Sequence, residues 1–174
     1  GSEMCIRDRS DIGNTTIGIG GFQGNKLLFI EKISSRRPLS DAGYIEKLNM
    51  ILNKHGLSAE AFEGSMISSV VPSVTAVFSS ALETFLGRKP LILSHKLDLG
   101  YEICTEFPEK VGCDRLADIA GAISRYSLPF VTIDLGTATT FNVLDENRRF
   151  LGGLILPGVG TAHRALLGKT AQLP

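Results

Sequence analysis

The sequence predicts an α/β fold built as a duplication, with mixed sheets, flanking helices and an incomplete second copy. Three observations predict it. Runs of β-prone residues and helical periodicities alternate along the chain. "DIGNTT" at 11–16 and "DLGTATT" at 134–140 are near copies, each leading into a β-prone hairpin. After the helix that follows Asp114 the strand pattern restarts, and three strands and one helix come before residue 174. Two copies of one supersecondary unit imply a repeated architecture.

Each element has its own signal. Residues 15–22 (TTIGIGGF) and 26–33 (KLLFIEKI) flank the turn-like Gln23-Gly24-Asn25, which reads as a hairpin. From Ser40 to about His55, Tyr44, Ile45, Leu48, Ile51 and Leu52 recur at helical spacing, with Ser40 as N-cap and Gly56 as the residue past the end. Met66–Val71 reads as a short buried strand. Pro72 opens a helix whose Val74, Val77, Phe78, Ala81, Leu82 and Phe85 share a face, and Gly87 closes it. Pro90–Leu93 is a further short strand. Leu116, Ile119, Ala120 and Ile123 mark a helix after Asp114. The second copy supplies strands at 129–134, 139–145 and 149–156 and a helix near 161–168. A strand before Asp11 completes the first series, yet "CIRDRS" holds that place. Burying Arg7, Asp8 and Arg9 in a central strand costs several kcal/mol each unless they are paired. Gly1–Ser2 resembles a cloning scar, so residues 1–10 read as a tag or non-native lead. The expected domains are then 11–113 and a partial second one, 114–174.

Composition narrows the function. Of 174 residues 43 % are hydrophobic, enough for a real core, and the formal net charge is zero. A neutral chain is not a general polyanion binder, so no nucleic-acid partner is expected. Arg36–Arg37 and Arg148–Arg149 read as solvated turns. No apolar run reaches membrane-spanning length, so no membrane partner is expected. The three cysteines, Cys5, Cys104 and Cys113, form no CxxC pair or metal-ligand spacing, which fits a cytoplasmic location. His55, His95 and His163 are widely spaced and read as surface or helix-end residues. P-loop, dinucleotide and nucleophile-elbow patterns are absent.

The repeated motif has a chemistry. Gly13 and Gly136 let the backbone turn tightly and let a ligand approach it. Free N–H groups in such turns bind phosphate oxygens. Thr15, Thr16, Thr137, Thr139 and Thr140 add hydroxyl donors and Asn14 an amide. Asp11 and Asp134 do not suit phosphate directly; they suit a cation or its hydration shell, as Mg²⁺ favours carboxylate and water oxygens. Two such loops facing one another would clamp a polyphosphate. The alternative is that each Asp simply caps a β-turn.

The paired D-x-G-[NT] loops resemble the phosphate loops of the acetate and sugar kinase, Hsp70 and actin superfamily. "DIGNTT", "SSVVPS" (68–73), "PEKVGCDRLAD" (108–118), "DLGTATTFNV" (134–143) and "GGLILPG" (152–158) occur in the order seen in type III pantothenate kinases. The resemblance implies a duplicated ribonuclease H-like, actin-like ATPase fold. It implies ATP-dependent phosphorylation of pantothenate to 4'-phosphopantothenate, the first step toward coenzyme A. Asp114 would be the base facing the substrate hydroxyl, and Thr105, Gly112, Cys113 and Arg115 would line the pantothenate site. Asp11 to Gly18 would form the first ATP loop, with Mg²⁺ reached from Asp11 through the phosphates. Thr137 would contact phosphate, and Asp134 would bind K⁺ or NH₄⁺. A homodimer is implied where the second domain is complete. Cys113 stands where the family commonly has alanine, and Thr105 where it often has tyrosine. From the residues alone, Asp114 serves equally as the N-cap of the helix that follows it. Two other readings stay open: a superfamily member acting on a different acceptor, and a non-catalytic binding or regulatory homologue.

Overall fold

A computed structural model describes residues 6–169. They gather into two compact units that divide between Ser94 and His95, earlier in the chain than the boundary after residue 113 expected from the motifs.

In the first unit, β1 (Ile6–Ile12), β2 (Thr16–Gln23) and β3 (Lys26–Ser34) form an antiparallel meander. After α1 (Asp41–Lys54), β4 (Phe62–Ser69) pairs parallel with β1. After α2 (Pro72–Leu86), β5 (Leu91–Ile92) pairs parallel with β4. The sheet order is β3-β2-β1-β4-β5, so β1 is the central strand. Ser40 caps α1 by accepting the Gly43 N–H at 3.3 Å, and Gly56 and Gly87 follow the helices in the left-handed conformation that only glycine adopts without strain. Tyr44, Leu48, Ile51 and Leu52 of α1 and Val74, Phe78, Ala81 and Leu82 of α2 bury against Ile12, Ile17, Ile19 and Ile67 of the sheet. Tyr44 and Phe78 meet edge to face, with centroids 5.1 Å apart. The expected strand at Met66–Val71 starts four residues earlier, at Phe62.

The segment before Asp11 is a strand after all. Its burial alternates strictly, with Ile6, Asp8, Ser10 and Ile12 inward and Arg7, Arg9 and Asp11 outward. Period-2 geometry therefore releases both arginines to solvent, and the Arg9 guanidinium lies 4.5 Å over the Phe22 ring. Only Asp8 carries the burial cost. It is 4 % exposed, and the Ser10 hydroxyl reaches its carboxylate at 3.2 Å. Burial pushes its pKa up to about 7, against a smaller opposing pull from Ser10. Residues 1–5 of the expected lead lie outside the described residues.

In the second unit a two-residue strand, β6 (Glu102–Ile103), precedes α3 (Cys113–Ile123). A second meander follows: β7 (Phe130–Leu135), β8 (Ala138–Leu144) and β9 (Arg149–Pro157), then α4 (Val159–Lys169). The order is β6-β9-β8-β7, with β6 parallel to β9 and the other pairs antiparallel. Pairing with β9 is what makes β6 a strand, and it carries residues before Asp114 into this unit. Leu116, Ile119, Leu144 and Phe150 are buried here. The opposite sheet face is apolar and open to solvent: Ile133 is 57 %, Leu135 75 % and Leu154 60 % exposed. Among the described residues no helix is long and apolar enough to cross a membrane.

Candidate functional site

The first acid-headed loop joins β1 to β2. Ile12 is buried and anchors the strand end, while Asp11 lies on the opposite face of the sheet. The Gly13 N–H donates to the Thr16 carbonyl at 2.9 Å, closing a tight turn through Asn14 and Thr15. Ser35, just past β3, locks that turn from beneath. Its hydroxyl donates to the Gly13 carbonyl at 2.7 Å, and its N–H donates to the Thr15 carbonyl at 3.1 Å. Asp11, Asn14 and Thr16 are exposed and Thr15 is half-buried.

The second loop joins β7 to β8. Asp134 pairs across with Thr140, and Leu135 with Thr139. The Gly136 N–H donates to the Ala138 carbonyl at 2.9 Å, leaving Gly136 and Thr137 at the tip. The Thr137 carbonyl accepts the Gly158 N–H at 3.0 Å and the Thr161 hydroxyl at 2.8 Å, so the start of α4 braces the tip. A side chain on Gly158 would bring Cβ within 2.1 Å of the Gly136 carbonyl oxygen. Asp134 and Thr137 are exposed, Thr139 half-buried and Thr140 buried. The pleat separates the two threonines. Thr140 shares a face with Asp134, Thr132 and Asn142, while Thr139 shares the opposite face with Leu135 and Leu156.

The helix α3 begins at the "GCDR" motif. Gly112 holds the N-cap position without a side-chain hydrogen bond, and Asp114 sits inside the first turn rather than at the cap position. The Asp114 Oδ1 accepts the Arg115 N–H at 2.8 Å. The Arg115 side chain runs to the second sheet. Its Nε donates to Asn142 Oδ1 at 2.6 Å, and its Nη2 donates to the Phe141 carbonyl at 3.2 Å. Its guanidinium stands 5.5 Å from the centre of the Phe150 ring. Burial pushes the Arg115 pKa down, with the neighbouring Asp114 carboxylate pulling it back up. Asn142 in turn donates from Nδ2 to the Thr132 hydroxyl at 3.0 Å. Tyr101 braces the same helix by donating to the Leu116 carbonyl at 3.0 Å, and burial raises its phenol pKa so that the donor stays protonated.

Consecutive glycines of β9 make room for these groups. A Cβ on Gly153 would lie 1.7 Å from the Phe141 carbonyl oxygen and 3.0 Å from Arg115 Nη2, and one on Gly152 would lie 3.7 Å from Thr105 Cγ2. The Thr105 hydroxyl is buried and has no hydrogen-bond partner among the described residues. Gly112, Cys113 and Asp114 are half-buried at the helix start. Within the second unit, then, Asp114 and Arg115 stand side by side, and Thr105 and Arg115 flank adjacent glycines of one strand.

The donor chemistry can be tested against a divalent cation. Among the described residues no group of three or more His, Cys, Asp or Glu side chains gathers to hold a metal. Single exposed carboxylates, as at Asp11 and Asp134, suit Mg²⁺ that keeps its waters and rides on a polyphosphate rather than one held in a protein cage.

The sequence model of the type III pantothenate kinases matches residues 10–174. The chain belongs to the type III pantothenate kinase family. It is 40 % identical over 164 residues to the type III pantothenate kinase of Bifidobacterium animalis subsp. lactis, and 36 % identical over 163 residues to that of Thermomicrobium roseum. Each alignment takes in 94 % of this chain but 65 % and 63 % of the relatives, so the chain spans just under two-thirds of the length of the curated relatives it matches. Among solved structures, it is similar to a Baf family protein from Campylobacter jejuni, with a TM-score of 0.57 at 16 % identity, covering 96 % of this chain and 62 % of that one. It is also similar to the ethanolamine utilization protein EutJ from Carboxydothermus hydrogenoformans, with a TM-score of 0.51 at 13 % identity, covering 97 % and 58 %. At such identities the likeness is one of fold alone, a mixed α/β architecture.

Several positions in this family member had no role in the sequence reading. Ser35, Thr132, Asn142, Gly153 and Thr161 hold the loops and Arg115 in place. Asn142 had a readable signal. It is a polar residue on the inward side of β8, between the buried Thr140 and Leu144, where an amide must find partners.

Proposed function

We propose that the protein is a phosphotransferase that moves the γ-phosphoryl group of ATP to the primary hydroxyl of pantothenate, giving 4'-phosphopantothenate and ADP. Family membership supports the reaction, and one observation carries the site: Asp114 and Arg115 sit together in the first turn of α3, with the Arg115 guanidinium held by Asn142 and the Phe141 carbonyl.

The division of labour follows from the groups. ATP supplies the phosphoryl group, whose bond to the ADP oxygen breaks as the acceptor oxygen takes it on. Such transfers have loose transition states, so positioning and charge neutralisation do most of the work. Asp114 orients the acceptor hydroxyl and takes its proton late, then returns it to solvent. Arg115 commits Nε and Nη2 to the sheet and keeps further donors of its five-donor fork for the pantothenate carboxylate. Thr105, Gly112 and Cys113 line the acceptor site, where the Thr105 hydroxyl, without a partner among the described residues, suits a polar acceptor. Each acid-headed turn, taken by itself, offers backbone N–H groups and hydroxyls suited to phosphate: the Asp11–Thr16 turn through Gly13, Asn14 and Thr15, the Asp134–Thr140 turn through Gly136, Thr137 and Thr140. Thr139, facing the other way, contributes through its backbone. Asp11 would hold Mg²⁺ by way of the phosphates and Asp134 would hold K⁺ or NH₄⁺, and these cations would supply charge neutralisation. The working enzyme is a cytoplasmic homodimer.

Incubation with Mg-ATP, K⁺ and pantothenate tests this reading, with ADP and phosphopantothenate both measured. Asp114→Asn is expected to lower turnover by about 10²–10⁴-fold. Turnover indifferent to that change, or equal ADP release with unrelated alcohols, defeats the proposal.

A further inference from the structure

We propose that Asn142 is a positioning residue: its buried amide sets the Arg115 guanidinium in the orientation that receives the acceptor's carboxylate. The functional half of this claim rests on the pantothenate reading above. Asn142 is 0 % exposed, yet both ends of its amide are used. Its oxygen accepts from Arg115 Nε at 2.6 Å and its nitrogen donates to Thr132 at 3.0 Å. The amide has one sensible orientation. Turned over, it would set its NH₂ against the Arg115 N–H, donor to donor. The Phe141 carbonyl and the Phe150 ring hold the guanidinium on two further sides, and Gly153 leaves the space for it.

Two consequences follow. An arginine fixed in advance gives up less freedom when a carboxylate docks, so binding is tighter than to a mobile one. The chain Arg115–Asn142–Thr132 also runs from the first turn of α3, where Asp114 stands, across β8 to β7. That strand carries Asp134 two residues beyond Thr132 on the same face. Asn142 thus sets the base's neighbour against the strand that bears the second acidic loop, without itself touching substrate.

The test compares wild type with Asn142→Asp, Asn142→Leu and Thr132→Val. Asp keeps the acceptor for Arg115, Leu removes it, and Val loosens only the far end while sparing the fold. Hydrogen exchange of the Arg115 Nε–H, followed by NMR, should be slow in wild type and Asn142→Asp, faster in Thr132→Val and at least about tenfold faster in Asn142→Leu. The KM for pantothenate should rise about tenfold or more in Asn142→Leu and return in Asn142→Asp, with the KM for ATP within about twofold throughout. A fall in thermal midpoint with unchanged Arg115 exchange and unchanged pantothenate KM overturns the proposal. If Asn142→Leu does not fold, Thr132→Val must show faster Arg115 exchange and a raised pantothenate KM relative to wild type, or the proposal fails. A wild type that neither binds nor phosphorylates pantothenate defeats the kinase reading instead, and the Arg115 exchange series then decides the positioning claim alone.

Discussion

Replacing Asp8 by valine should stabilise the first unit, and by more as pH rises. Asp8 sits on the inward side of the central strand beside Ile6 and Ile12, and the Ser10 hydroxyl at 3.2 Å is a weak partner for a carboxylate. Its pKa is raised from 3.8 to about 7, with burial the larger cause. The sign follows from proton counts. Between those two values the folded state binds more protons than the unfolded one, so stability falls as pH rises. Asp8's favourable contribution is therefore fully present below pH ~4 and lost once pH passes about 7. At about 1.4 kcal/mol per pH unit, that interval amounts to ~4 kcal/mol. Asp8→Val removes this slope and adds burial of two methyl groups, worth ~1–2 kcal/mol. The variant should exceed wild type by ~1–2 kcal/mol at pH 4 and by ~5–6 kcal/mol at pH 8. Urea titrations at a series of pH values, read by hydrogen exchange of peptides from β1, β2 and β4, isolate this unit's transition. A stability difference that stays flat from pH 4 to 8 refutes the reasoning, because it would mean the carboxylate is solvated or paired in the folded protein.

Three further outcomes follow from the geometry. Gly153→Ala should cost ~3 kcal/mol or more, since its Cβ would fall 1.7 Å from the Phe141 carbonyl oxygen. Gly64→Ala, with nothing within 4 Å of its Cβ, should change thermal stability by no more than ~1 kcal/mol; equal effects would contradict the packing. Ser35→Ala removes the hydroxyl that holds the Gly13 carbonyl at 2.7 Å. It should cost ~1 kcal/mol and speed hydrogen exchange at Gly13–Thr16 while leaving α1 protected, and unchanged exchange in that turn would count against the brace. The 174-residue chain should self-associate through its open apolar sheet face. Sedimentation over a concentration series should show less association in Ile133→Lys and Leu154→Lys, whereas a wild type that stays monomeric at all concentrations disproves it.

The repeat was legible because its two halves share a local rule: an acid at a strand end, a glycine turn, then hydroxyls. Helix ends were equally local, and Ser40, Pro72, Gly56 and Gly87 act where their chemistry places them. The misreadings lie where partners come from far along the chain. β6 is two residues long and becomes a strand only by pairing with β9. "CIRDRS" looked like one obstacle of three charges, but alternation turns two of them outward and leaves Asp8 as the single cost. Ile12 and Leu135 make the same point from the other side. Each follows the acid of its repeat, yet Ile12 is fully buried beneath α1 and α2 while Leu135 stands in solvent. A motif sets which way a side chain points; the elements packed above it set whether that direction is inside. The same division governs Arg115. Its place in "GCDR" made it a candidate site residue, but its side chain is tied to Asn142, 27 residues further on, in a motif read at first for its acid, its glycine and its threonines.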